Sequence, residues 1–367
     1  MFKFLSLKKT VFFLLLLIAT SLGAQTARKY SNEFLNIGVD AAAFGMSNAV
    51  VASTADVNSG YWNPAGLLHL QEQEVALMHA AYFANMANYD YAAFAMPLDE
   101  KSAAAISLIR FGVDDILNTT KLLDENGEPN YANISKFSAA DYAATFSYAR
   151  RLTEDGLLNA GVNAKVVHRV IGDFASSWGF GIDVGLQYRP GNWLVGAMVR
   201  DITTTFNAWS IDKAKFADIQ GAVDGENQEM PETTELTLPK LQVGAARRFT
   251  FGNDFSLLSE VNLHVRFAKT HDIISGSFAS ISPSAGFQFD YTNLVYIRAG
   301  VGNFQNILQL DGSEAIGFQP NIGIGFHYKG IQVDYALTDL GDQSAALYSN
   351  IFSLKLDLGI FKKSAGS

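Results

Sequence analysis

Residues Trp178 to Tyr188 read WGFGIDVGLQY, and every second position is apolar: Trp178, Phe180, Ile182, Val184, Leu186 and Tyr188. The other parity carries Gly179, Gly181, Asp183, Gly185 and Gln187. Successive side chains of an extended strand point to opposite faces, so the stretch has one apolar face and one small or polar face. An aromatic stands at each end of the apolar face, where a membrane-crossing strand meets the two interfaces.

The alternation recurs to the C-terminus. It runs through Leu158–Val166, Trp193–Val199, Leu241–Ala245, Leu257–Phe267, Ala285–Tyr291, Val295–Val301, Ile322–Tyr328, Ile331–Tyr335 and Phe352–Ile360. Four further segments, about 74–83, 89–97, 102–112 and 139–151, follow it less cleanly. Together these predict about 14 strands of the length a tilted membrane strand requires. Connections alternate between short and long. Short ones are Thr153–Gly156, Pro190–Asn192, Gly252–Asp254, Thr292-Asn293 and Lys329-Gly330; long ones fall at 113–138, 202–236, 268–281, 303–316 and 338–349. A soluble sandwich has no reason to alternate in this way. An outer-membrane barrel with a periplasmic N-terminus does, and an even strand count returns its C-terminus to the periplasm. The expected fold is an all-β, antiparallel transmembrane barrel over residues 73–361.

The front of the chain reads as a secretory signal over residues 1–24. Lys3, Lys8 and Lys9 precede an apolar run too short to span a bilayer, and Ser21-Leu22-Gly23-Ala24 supplies small residues for cleavage. The tail 362–367 ends Ser364-Ala365-Gly366-Ser367 and reads as a cloning remnant beyond the barrel. With no cysteine, the exported chain relies on packing and sheet closure rather than disulfides. Removing the three signal lysines takes the net charge from −9 to −12 (−9 − 3), which argues against nucleic acid. The partners expected are the lipid bilayer and other proteins.

Charged residues on the polar parity carry both signs: Arg110, Lys165, Asp183, Arg200, Glu260, Arg266, Asp290 and Arg298. Mixed sign predicts a structural ladder of paired charges in the lumen, whereas a selective pore would carry one dominant sign. Arg150, His168, Asp201 and Arg247 fall on the apolar parity, near strand ends where headgroups or water can reach them. The six histidines show no metal-ligand spacing, so neither metal nor cofactor is expected. The glycines of WGFGIDVG lead into no helix and are lumen glycines, not a phosphate loop. No nucleophile elbow is present, and enzyme activity is not expected. The 202–236 connection carries Phe206, Trp209, Ile211, Phe216 and Met230 among acidic residues. Such side chains on a long loop either fold back over the pore or engage a partner.

Upstream, Asp40 to Leu67 reads DAAAFGMSNAVVASTADVNSGYWNPAGL. This segment resembles the N-terminal region of the PorV/PorQ family, which is FadL-like in fold. The matching positions are Gly45-Met46, the small-residue stretch Ser53 to Asn58 with Asp56 and Asn58, and Trp62-Asn63-Pro64-Ala65-Gly66. Ser47 departs from the family, where a further glycine often follows the methionine. GIQVDYALTDLGD, Gly330 to Asp342, looks like the family's penultimate strand and loop, and Val113 to Tyr148 looks closest to a PorV-like paralogue.

The resemblance implies a 14-stranded barrel whose N-terminal segment, residues 25–72, folds into the lumen as a hatch. In that hatch Pro64 holds Asn63 out of helical geometry, Asn63 closes a turn on local backbone, and Gly66 permits close approach to the wall. It also implies an outer-membrane subunit of the type IX secretion system of Bacteroidota, binding translocon, cargo or attachment-complex proteins through loops and barrel wall. Two alternatives stand beside it: a FadL-type channel for hydrophobic small molecules, and an accessory barrel of another complex such as the barrel assembly machinery.

Overall fold

The computed structural model describes residues 31–82, 86–123, 127–215, 233–309, 312–338 and 349–360. Residues 1–24, expected to be a secretory signal, and the tail 362–367 lie outside them. A single antiparallel sheet contains the strands β1 (Glu74–Tyr82), β2 (Ala87–Asp99), β3 (Ser102–Asn118), β4 (Ser135–Arg151), β5 (Leu158–Ile171) and β6 (Ala175–Tyr188). It continues through β7 (Trp193–Arg200), β8 (Thr205–Ile211), β9 (Thr234–Thr237), β10 (Lys240–Phe251), β11 (Phe255–Arg266) and the two-residue β12 (Ile274–Ser275). The last are β13 (Ser280–Tyr291), β14 (Val295–Leu308), β15 (Glu314–Tyr328), β16 (Ile331–Thr338) and β17 (Ser349–Asp357). β1 pairs with β17 from Glu74↔Asp357 to Ala81↔Asn350, which closes the sheet. β7–β8 and β9–β10 are each one broken strand and β12 is an appendage on β13, so the wall is a closed barrel of 14 strands.

The alternation of the sequence becomes the two faces of this wall. Trp178, Phe180, Phe287, Ile297, Ile324 and Phe326 all point outward and are exposed. Tyr188, Trp193, Phe255, Tyr291 and Tyr328 stand on the same face beside the short turns, forming the aromatic girdle of one interface. The Lys329-Gly330 turn has positive φ at both residues (49° and 78°), the type I′ geometry whose twist matches the flanking strands. No described helix is long and apolar enough to cross a membrane.

Two expectations fail where the alternation changes phase. Residues 202–236 are not one loop, because β8 and β9 continue the wall on either side of a shorter connection. Val184 pairs with Val199, and four residues back along β6 Phe180 pairs with Phe206, seven residues on. The three extra residues form a bulge around Asp201 (φ 55°) and Thr204 (φ 61°). An odd insertion reverses the faces. Asp201 therefore turns inward and is 5% exposed, instead of reaching headgroups. On the neighbouring strand Pro239, which has no N–H to donate, separates β9 from β10.

The second failure is Arg110, which is not in the lumen. It shares the outward parity of Ile106 and Leu108, while Ser107 and Ile109 point inward. The front strands are apolar on their inner face as well, through Met78, Tyr89, Tyr91 and Ile109. With both faces apolar, period two marks a strand without saying which face is which. The reason for that inner face is the segment Ser31–Leu70, whose Phe34, Val39, Phe44, Met46, Trp62 and Leu67 pack against it.

Candidate functional site

Ser31–Leu70 lies inside the barrel as short turns rather than long helices: Glu33–Asn36, Ala41–Gly45, Ser59–Trp62 and Pro64–His69. Asn63 is the joint between the last two. Its backbone is extended (φ −165°, ψ 104°), as the residue before proline prefers, which ends one turn of helix and starts the next. Its Oδ1 accepts the Ala65 N–H at 3.3 Å and caps the new turn. Its Nδ2 donates to Val51 O and to the wall carbonyl of Leu186, both at 3.0 Å. Asn63 is thus fully buried and fully used, joining turn, segment and wall.

The wall has been cut away to receive this joint. A Cβ at Gly185 would sit 2.1 Å from Asn63 Oδ1, and one at Gly161 would sit 2.5 Å from the Pro64 carbonyl carbon. Opposite, Cβ atoms at Gly286 and Gly300 would meet the Met46 backbone at 2.5 and 2.4 Å. Gly45 stacks on Gly323 in the same way. Gly66 serves differently from expectation. Its missing Cβ would strike Thr54 O and Ser59 Oγ within the segment, so it permits internal packing and not approach to the wall. Ser47 takes φ 52°, a left-handed conformation that glycine adopts more cheaply, and its hydroxyl accepts from Asn321 at 2.7 Å.

Charged lumen residues fasten the segment. Glu260 accepts the N–H groups of Ala52 (2.8 Å) and Ser53 (3.1 Å). Arg200 donates to Tyr61 O at 2.8 Å and lies 4.4 Å from the Tyr61 ring. Tyr61 packs edge-on to Trp62, whose Nε1 donates to Val39 O at 3.1 Å. Lys355 pairs with Asp56, whose other oxygen accepts the Asn58 N–H at 2.9 Å. The remaining charges pair within the wall: Lys165 with Asp183 and Asp201, Arg298 with Asp334 at 2.6 Å, and Asp290 with the Ser256 hydroxyl and Arg248. Arg266 lines a cavity of about 330 Å³ near the long connections, and a second of about 310 Å³ lies toward the short turns beside Lys355 and Arg298. Both cavities have walls of mixed polar and apolar character. Among the described residues no cluster of His, Asp or Glu could hold a metal ion.

Phe206, Trp209 and Ile211 belong to β8 and not to a free loop. Phe206 points outward, while Trp209 lies under Arg169 (5.3 Å), which is paired with Asp141 and Glu235. Phe216 and Met230 fall outside the described residues. Sequence reasoning missed Asp40. It caps Ala41–Gly45, accepts the Ser353 hydroxyl at 2.8 Å, and is signalled only by an acid one residue before a small-residue run. Burial, reinforced by Asp334 and opposed by Lys355, raises its carboxyl from 3.8 to about 6. The folded value lies above the unfolded one, so this group's contribution to stability is full below about pH 4 and is lost as pH rises through 6. Asp40→Asn keeps the acceptor oxygen and removes the charge. It is expected to stabilise the barrel by about 2 kcal/mol near pH 8 and hardly at all near pH 4, read from thermal unfolding at the two pH values.

A closed 14-strand antiparallel barrel, apolar outside and filled by its own N-terminal segment, defines an outer-membrane protein of FadL-like fold. More specifically, the chain belongs to the PorV family of type IX secretion system proteins, whose family model matches residues 24–221. No curated protein sequence matches it. Among solved structures, the toluene transporter TodX of Pseudomonas putida aligns over 87% of this chain and 98% of its own, with 14% identity and a TM-score of 0.54. The monoaromatic hydrocarbon channel CymD aligns over 87% and 97%, with 14% identity and a TM-score of 0.51. A FadL homologue of Pseudomonas aeruginosa aligns over 87% and 98%, at 10% identity and a TM-score of 0.49.

Proposed function

We propose that this barrel is a non-enzymatic subunit of the type IX secretion machine, closed by its lumenal segment and working through protein contacts at the end that bears the long connections. Translocon, cargo or surface-attachment subunits are the partners this reading expects. The family match supports the machine. The observation that carries the mode of action is the fastening of Ser31–Leu70 by Glu260, Arg200 and Lys355, with glycines shaped to its backbone. A barrel so filled offers its surface to partners. The β3–β4 and β14–β15 hairpins and the β8–β9 extension lengthen that surface, and on this reading the end with the short turns faces the periplasm.

The same fold supports a second reading, a channel for hydrophobic compounds, because TodX and CymD are named as such. The charged side chains among the lining of both lumenal cavities, Arg266 in one and Asp56, Arg298 and Lys355 in the other, favour the first. Affinity purification in a mild detergent, followed by mass spectrometry, separates the two. The secretion reading expects larger envelope proteins to co-purify in stoichiometric amount. A barrel that stays monomeric in repeated native purifications, yet restores uptake of an aromatic hydrocarbon to a transport-deficient strain, decides for the channel.

A further inference from the structure

The lumen carries an excess of positive charge just below the long connections. Arg200 on β7, Lys240 on β10 and Arg266 on β11 stand directly opposite one another in the register, and they line one recess of the lumen together. Like charges placed opposite each other on one face of a sheet repel. Among the described residues the row makes a single ion pair, Lys240 with Glu33 of the lumenal segment at 3.5 Å. Asp183 and Asp201 on the same wall are held by Lys165. Arg200 is spent on the carbonyls of Tyr61 and Leu35 and on Gln242. The Arg266 side chain has no hydrogen-bonded or ion-paired partner among the described residues.

Arg266 faces the cavity of about 330 Å³ between the segment and the wall from β11 to β16, and no Asp or Glu is among the described residues lining it. Three hydrogen-bond chains lead to this cavity, and each ends on a donor. Arg200 Nε donates to Gln242 Oε1 at 3.0 Å, which turns the Gln242 amide nitrogen toward His264 Nδ1 at 2.9 Å. Nδ1 therefore accepts and the ring proton sits on Nε2, with Ser284 Oγ 3.4 Å beyond it and the Ser284 proton left over. Asn321 donates to Ser47 Oγ at 2.7 Å, which leaves the Ser47 proton. Gln305 donates to Asn303 at 2.8 Å and Asn303 to Gln319 Oε1 at 3.4 Å, which leaves the Gln319 amide protons. On the segment side, Asn36 gives its amide nitrogen to Glu33 at 2.7 Å and keeps its carbonyl oxygen.

We propose that this cavity binds a small hydroxylated carboxylate of about the size of a sugar acid. The carboxylate takes Arg266 through two parallel bonds and supplies the negative charge that the cation row lacks. The hydroxyl groups accept from Ser284, Ser47 and Gln319 and donate to Asn36. A volume of about 330 Å³ stands at the small end of ligand sites and suits one such molecule. An inorganic anion would satisfy Arg266 and leave the outlying donors unmet, and a neutral sugar would leave the guanidinium unpaired. The site depends on neither reading of the barrel's function, because it lies beside the segment and needs no open lumen.

Isothermal titration calorimetry on the whole protein in detergent tests this with galacturonate, gluconate, galactose and inorganic phosphate as probes. The expected result is one saturable site for galacturonate or gluconate, at least about tenfold tighter than for galactose or phosphate. Arg266→Gln should weaken binding of the acid about tenfold. Arg266 fastens no part of the segment, so that variant should keep its heat-modifiable gel mobility and its closed conductance. Ser284→Ala with Gln319→Leu, which keeps every cation, should weaken the sugar acid and leave phosphate unaffected. Absence of a saturable site for both acids overturns the proposal, as does unchanged affinity in Arg266→Gln. Galactose binding as tightly as galacturonate would also overturn it, and phosphate binding as tightly would reduce the site to one for inorganic anions.

Discussion

Removing residues 31–66 is expected to convert a closed barrel into a conducting one, raising ion leakage in planar bilayers at least about tenfold. The wall does not need the segment for closure, because β1 and β17 pair through their own backbones. Without the segment, a barrel between the size filled by its own side chains and that of the water-filled porins is left hollow. Its bare interior carries Lys165, Asp183, Arg200, Glu260 and Arg298, a lining that water enters readily. Smaller changes should grade with the seat. Pro64→Ala restores an N–H and frees Asn63 to become helical, which loosens one joint, so leakage should rise modestly and intermittently. Gly185→Leu places a side chain where Asn63 Oδ1 and the Pro64 ring now lie and should displace the joint altogether. Unchanged conductance in the deletion variant would sink the closure role, leaving the segment a packing element alone.

The stretch from Trp178 to Tyr188 was readable because its outward face meets lipid and its inward face meets a polar wall or segment backbone, so the two faces differ in chemistry. That contrast holds around most of the barrel and made the architecture legible. It disappears at β1–β3, where Tyr89, Tyr91 and Ile109 are as apolar as the lipid face because they bury the segment's aromatic side chains. Arg110 was misplaced for that reason. Strict alternation also carries no information about insertions, so the three extra residues around Asp201 looked like the onset of a loop. The proline joint was legible in outline, since Asn-Pro restricts the backbone locally. The partners of Asn63 at Val51 and Leu186 were not, since they depend on contacts 12 and 123 residues away in the chain. The glycines that receive the joint looked like ordinary lumen glycines, and only the register shows Gly161 and Gly185 side by side beneath it.

Lys165→Met should be the most destabilising single substitution in the wall. Lys165 Nζ lies 2.7 Å from Asp183 and 2.6 Å from Asp201, and all three side chains are under 10% exposed. The triad closes the bulge between β7 and β8. Asp183 also accepts the Asp201 N–H at 2.8 Å, and the Thr205 hydroxyl donates to Asp201. Removing the cation that bridges them leaves two buried carboxylates facing each other, with only the more distant Arg200 to offset them. Breaking a buried pair in this way costs about 3–5 kcal/mol, well above the worth of the pair measured against an apolar replacement of the whole group. The loss should appear as a lower temperature for the heat-modifiable gel shift and as new proteolysis near residues 201–204, where four residues stand outside the regular ladder. Adding Asp183→Asn and Asp201→Asn to Lys165→Met removes the unpaired charges and should recover most of the loss. A triple variant as unstable as the single one would place the cost in packing volume and not in charge. The double variant that keeps Lys165 but neutralises both acids gives the opposite control, a buried ammonium with no counter-ion, and should be destabilised to a similar degree. Destabilisation by either unbalanced set and recovery in the balanced one would identify the bulge as held by charge balance. That would explain why an odd insertion in a membrane wall persists: it brings Asp201 to the inner face, where its countercharge waits on β5.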